Sequence, residues 1–148
     1  MAQIDTHHSG KCLCGAVGFE VKNLNPEFGT CHCKMCQRWA GSALLGLTIP
    51  ADTISFTGTD HIRRFQSSEW AERAWCEKCG SGLWYRVTAK GTEYGTYHMP
   101  IGLLDDTSGL KMIREIFTDE QADVVNFSGE RKTMTGAEVF ALYAPEQE

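Results

Sequence analysis

Val17, Phe19 and Val21 are apolar and alternate with Gly18 and Glu20. A period of two sends successive side chains to opposite faces, so this stretch is predicted to be a strand with one buried face. Asn23-Leu24-Asn25-Pro26 ends it. Residues 43–49 form a short, mostly apolar run stopped by Pro50-Ala51-Asp52, the pattern of a buried strand. Residues 53–57 and 62–65 have β-type composition around the turn signal Gly58-Thr59-Asp60, which predicts a hairpin. Further strands are predicted at 83–87, 94–99 and 112–117. A clear helix start occurs late in the chain, where Thr135 and Glu138 make a TxxE capping box ahead of Val139, Phe140, Leu142 and Tyr143. A further helical turn is compatible with the segment after Cys33. The pattern predicts a mainly β domain with one short C-terminal helix.

Length and charge narrow the picture. A chain of 148 residues fits one domain and can bury roughly two thirds of its unfolded surface, so metal need not supply all of its folding energy. The expected division is a flexible, polar tail over residues 1–9, which holds His7 and His8, and one domain over 10–144. Fourteen Lys and Arg against nineteen Asp and Glu give 14 − 19 = −5, which argues against a nucleic-acid groove. No run approaches the ~18 apolar residues of a membrane span. Seven cysteines, an odd number, with no apolar stretch before residue 10, argue against a secreted disulfide scaffold and for a reducing, cytoplasmic setting.

The cysteines carry the chemistry. Cys31, Cys33 and Cys36 form a CxCxxC cluster with His32 and Lys34 between them, and three thiols so close on a turn cannot all be core packing. They read as ligands to one soft metal, with zinc expected because no other cluster signature accompanies them. Cys12 and Cys14 precede Gly15, and Cys76 and Cys79 precede Gly80. A glycine just past each pair suits a turn that needs positive φ, where backbone amides can point back at sulfur. The two pairs make one closed four-thiolate zinc site, leaving Cys31, Cys33 and Cys36 as an open one; a rival partition lends a thiol of the first pair to the CxCxxC loop. A redox CxxC at Cys76 and Cys79 asks for a motif that opens a helix, whereas glycines and a strand-like segment follow here.

The stretches GKCLCGAVGFEV, CHCKMCQRWAGSAL, WCEKCGSGLW, IGLLDD and TGAEVFALY resemble the glutathione-dependent formaldehyde-activating enzyme family, also called the centromere protein V family, over about residues 10–143. The resemblance implies a β-tent fold similar to that of Mss4-like proteins, with two zinc ions per chain. It implies a structural zinc on Cys12, Cys14, Cys76 and Cys79 and a functional zinc on Cys31, Cys33 and Cys36. The activity it implies is carbon–sulfur lyase chemistry, interconverting glutathione plus formaldehyde with S-hydroxymethylglutathione.

A zinc ion on three thiolates carries a net charge of −1 and suits a thiol better than hydroxide as its exchangeable ligand. The partners expected are a small thiol such as glutathione and a small aldehyde. His32 is a candidate to move the proton, its plainer role being a hydrogen bond that orients the loop. Arg38 is a candidate to clamp a carboxylate of the thiol, its plainer role being a surface ion pair. His61, His98, Trp39, Trp75, Trp84 and the pair Asp105-Asp106 read as solvent-facing, packing or loop residues. The competing function is a non-catalytic, zinc-stabilised protein-binding module of the Mss4-like type.

Overall fold

The computed structural model describes residues 6–143. Along these residues the chain forms β1 (His7–Lys11), β2 (Gly18–Lys22), β3 (Glu27–Cys31), α1 (Lys34–Ala40), β4 (Leu44–Ile49), β5 (Ile54–Thr57), β6 (Ile62–Gln66), β7 (Ala71–Cys76), β8 (Gly82–Val87), β9 (Tyr97–Pro100), β10 (Lys111–Ile116), β11 (Lys132–Met134) and α2 (Gly136–Tyr143). The protein is mainly β, with a short helix near its C-terminus and a second one, α1, directly after Cys33. Among the described residues no helix is long and apolar enough to cross a membrane. The chain divides into two compact units, one of Met1–Pro26 and Leu47–Leu110, the other of Glu27–Gly46 and Lys111–Glu148.

In the first unit β2 lies between β1 and β5, antiparallel to both, and β6, β7, β8 and β9 follow one another antiparallel. The predicted alternation holds: Val17, Phe19 and Val21 are buried with Leu47, Ile49, Leu83 and Met99. Trp84 is buried among them, with the Phe56 and Tyr97 rings each 5.0 Å away and its indole N–H donating to Glu72 Oε2 at 3.0 Å. Burying that indole costs little because its single donor is satisfied.

Two expectations change here. Residues 7–9 of the predicted tail belong to β1, with His7 opposite Lys22 and Ser9 opposite Glu20; the alternation of β2 offers them an edge to pair with, a partner that a polar stretch does not announce. Residues 1–5 lie outside the described residues. The predicted hairpin does not form, since β5 pairs with β2 and β6 with β7. The turn that parts them starts at Gly58, whose φ is +71° and where a Cβ would lie 1.8 Å from the Ala16 carbonyl oxygen. Only glycine lets the chain pass that close while turning away.

In the second unit β10 runs parallel to both β3 and β11, and β3 pairs antiparallel with β4 at Cys31 and Leu44. The register puts Glu115 opposite Thr30 and Ile116 opposite Cys31. This brings a strand from late in the chain beside the CxCxxC loop. α1 is built of good helix formers between two caps. Cys33, extended at φ −60° and ψ 152°, is its N-cap, and Gly41, at φ +85°, closes it with an N–H to the Gln37 carbonyl.

Candidate metal centres

The first centre gathers four thiols from two turns of the first unit. Cys12 and Cys14 follow β1, Cys76 ends β7 and Cys79 lies in the turn before β8. Their four sulfurs all lie within 4.8 Å of one another. Cys14 Sγ is 3.6 Å from Cys12 Sγ and 3.8 Å from Cys76 Sγ. A tetrahedron with Zn–S bonds of about 2.3 Å has edges of about 3.8 Å, so the donor set fits a zinc ion. Gly15 and Gly80 have φ of +82° and +80°, the left-handed turns expected of them. Past Gly15 the amides of Ala16 and Val17 donate to Cys14 Sγ and Cys12 Sγ at 3.5 and 3.4 Å. Ser81 joins the two turns: its hydroxyl accepts the Leu13 N–H at 3.0 Å and lies 3.3 Å from Cys79 Sγ.

Electrostatics say the same. The hydroxyl and amide of Ser81 pull the Cys79 thiol down to about 5. Although the Ala16 amide favours its thiolate, desolvation and the three neighbouring cysteines push Cys14 up to about 11. Touching thiols that compete in this way ionise together only around a cation.

The second centre lies in the second unit. Cys31 ends β3, Cys33 caps α1 and Cys36 sits in its first turn, where its N–H donates to Cys33 Sγ at 3.3 Å. The three sulfurs lie within 4.8 Å of one another and, among the described residues, no further Cys, His, Asp or Glu joins the group. Cys33, Cys36 and burial together drive the Cys31 thiol far above the ordinary thiol range. This too is a donor set that could hold a metal ion.

His32 is buried between its two cysteines. Its Nε2 donates to Glu115 Oε1 at 2.7 Å, and its backbone N–H donates to the Ile116 carbonyl at 3.0 Å. The other carboxylate oxygen of Glu115 accepts from Arg131 Nε at 2.5 Å. Burial alone would raise the Glu115 pKa, but the hydrogen bonds from Arg131 and His32 hold it below the usual carboxylate value. Gln37 Nε2 donates to the carbonyls of His32 and Glu120, at 2.5 and 2.8 Å. Arg38 is exposed. Two residues past Cys36, it points about 200° around the helix from that thiol.

Of the remaining singled-out residues, His61 pairs with Glu77, which also holds Arg63. His98 lies 3.5 Å from the Thr48 hydroxyl and against the Tyr85 ring. Asp105 accepts from the Ser9 hydroxyl, 3.7 Å from Lys11 Nζ, and Asp106 caps the Ser108 N–H. Sequence reasoning missed Glu115, Arg131, Gln37 and Ser81. Glu115 had one signal, a lone carboxylate inside the apolar pattern of 112–117.

The family model described as glutathione-dependent formaldehyde-activating enzyme matches residues 7–120, a span that holds both centres. The chain belongs to this family. An uncharacterized lyase of Schizosaccharomyces pombe is 24% identical over 132 residues, 89% of this chain and 93% of the relative. A protein of Halomonas elongata with the provisional name glutathione-dependent formaldehyde-activating enzyme is 35% identical over 83 residues, 51% of this chain and 53% of the relative.

Proposed function

We propose that the protein is a zinc-dependent carbon–sulfur lyase that makes or breaks the adduct of glutathione, or a similar small thiol, with an aldehyde of the formaldehyde kind. Family membership and the lyase name of one relative support an enzyme of this class. The observation that carries the reading is the difference between the two centres, four sulfurs in one and three in the other. A four-thiolate zinc site is saturated and structural, whereas three protein ligands leave a position for substrate. In this reading Cys12, Cys14, Cys76 and Cys79 hold the structural ion and Cys31, Cys33 and Cys36 the functional one.

When bound there, zinc supplies Lewis acidity that favours the thiolate form of an incoming thiol near neutral pH. Addition joins sulfur to the carbonyl carbon as the C=O π bond breaks, and the proton lost by the thiol ends on the new hydroxyl oxygen. The reverse releases both partners. The chain's own part is placement: the β3–α1 turn fixes three sulfurs within one small triangle, and α1 is held at both ends by its caps. Lys34 and Arg38, exposed on the side of α1 away from Cys36, do not clamp a thiol at the sulfurs; their positive charge acts only as long-range attraction for a carboxylate-bearing thiol. His32 spends its Nε2 on Glu115, so its contribution is to hold the loop. Seven free thiols fit a reducing compartment, and we place the activity in the cytoplasm.

Thiols add to formaldehyde unaided, so product formation proves nothing. The test is the rate of exchange between free thiol and adduct, followed by exchange spectroscopy with zinc-loaded protein. A rate above background that Cys33→Ser abolishes supports the lyase. No enhancement across a panel of thiols and aldehydes, with no thiol binding by calorimetry, would favour the binding module instead.

A further inference from the structure

His32, Glu115 and Arg131 come from three places in the second unit: the β3–α1 turn, β10 and the segment before β11. Their side chains are 1%, 5% and 9% exposed. A buried carboxylate and guanidinium persist only when they are paired and hydrogen-bonded, and here both are. Glu115 receives His32 on one oxygen and Arg131 on the other. Arg131 gives three further N–H bonds, to the carbonyls of Phe127, Ser128 and Gly129. Replacing a buried ion pair by apolar residues is often neutral or stabilising, so stability alone is a weak reason to build one here.

What the network does is pin one residue. His32 is fixed by its ring to Glu115, by its N–H to Ile116 and by its carbonyl to Gln37. It stands between Cys31 and Cys33, so fixing it fixes the backbone that aims both sulfurs. The ring is buried against Glu115 while Cys31 and Cys33 on either side of it are only half-buried, so the ring anchors the turn from the interior and leaves the two thiols nearer the surface.

We propose that Glu115 and Arg131 are positioning residues of the three-thiol centre: by locking His32 they hold Cys31 and Cys33 pre-arranged, and so set how tightly the exchangeable ion is kept. Neither belongs to the three-sulfur cluster. The inference rests on reading that cluster as a zinc site. Outer partners that orient a metal site commonly change affinity by about 10- to 100-fold when removed, and that is the effect expected here.

The test uses the full chain as wild type, Glu115→Gln, Arg131→Gln and the double variant. Each is loaded with zinc and titrated with a colour-forming chelator, and each is loaded with cobalt to record its thiolate charge-transfer bands. Either single variant should weaken the more labile ion by about 10- to 100-fold and shift the cobalt bands assigned to it. The double variant should be no weaker than the worse single one, because both act through His32. The tightly held ion and the circular dichroism should stay as in wild type. Wild-type affinity and cobalt spectrum in both single variants would overturn the proposal. So would loss of both ions together with the fold in both, which would make the network a core element only. A wild type that binds no more metal than Cys33→Ser would instead sink the zinc reading itself, and this inference with it.

Discussion

Cysteines at short spacing announce themselves, because ligands two or three residues apart share one turn and need no knowledge of the fold to be grouped. The pairing of Cys12 and Cys14 with Cys76 and Cys79 was legible for the same reason: each pair ends in a glycine, and each brings half a tetrahedron. Glu115 and Arg131 were not legible, since Glu115 meets His32 across 83 residues, through a parallel pairing that no local pattern encodes. These differences carry measurable consequences. Cys76 is fully buried in the closed centre, and Cys76→Ser is expected to cost on the order of 4 kcal/mol or more, read as a lowered urea midpoint. Cys33→Ser should leave most secondary structure in place while removing the labile ion, by circular dichroism and elemental analysis. Equal unfolding of both would erase the distinction between the centres. Glu115 gives a pH dependence with a definite sign. Its folded pKa is held below the ordinary 4.5, so its contribution is complete above that value and fades as pH falls through the lower folded one. The stability gap between wild type and Glu115→Gln should therefore narrow below about pH 4.5. A gap that widens with acid would contradict the assignment.

Element boundaries followed from chemistry that the chain states locally. The capping box forms as read: Thr135 Oγ1 accepts the Glu138 N–H, and Glu138 Oε1 accepts the Thr135 N–H, each at 3.2 Å. Thr135→Ala should cost about 1 kcal/mol, measured by chemical denaturation. No change would mean that packing alone, including the edge-on contact of Phe140 with Phe117, holds α2. α1 has a less familiar cap, a cysteine whose sulfur takes the role that serine or aspartate plays elsewhere, which ties helix formation to the ligand loop. Strand partners were harder to read than strands. Residues on both sides of Gly58 looked like a hairpin because period and turn composition carry no information on which sheet each strand joins. The close approach of Gly58 to Ala16 decides it, and Gly58→Ala should destabilise by at least about 2 kcal/mol through that collision and the positive φ. A variant as stable as wild type would show that the turn can be redrawn.

The molecule as a whole is acidic at −5, and thiolates on two zinc ions would move it by −7 + 4 = −3 further, a poor match for a polyanion and no obstacle to a small thiol approaching Lys34 and Arg38. Its two units each carry one centre. In the proposed reading each centre has a separate job, one closing turns of a β domain and one exposing a coordination position. The measurement that reaches this claim most directly is graded chelation of zinc-loaded protein, with bound metal, circular dichroism and thiol–aldehyde exchange rate followed in the same samples. The account predicts two steps: the first ion leaves with the exchange activity while the β signal persists, and the second leaves with the fold. Release of both ions in a single step with unfolding, or exchange activity that survives departure of the first ion, would contradict it.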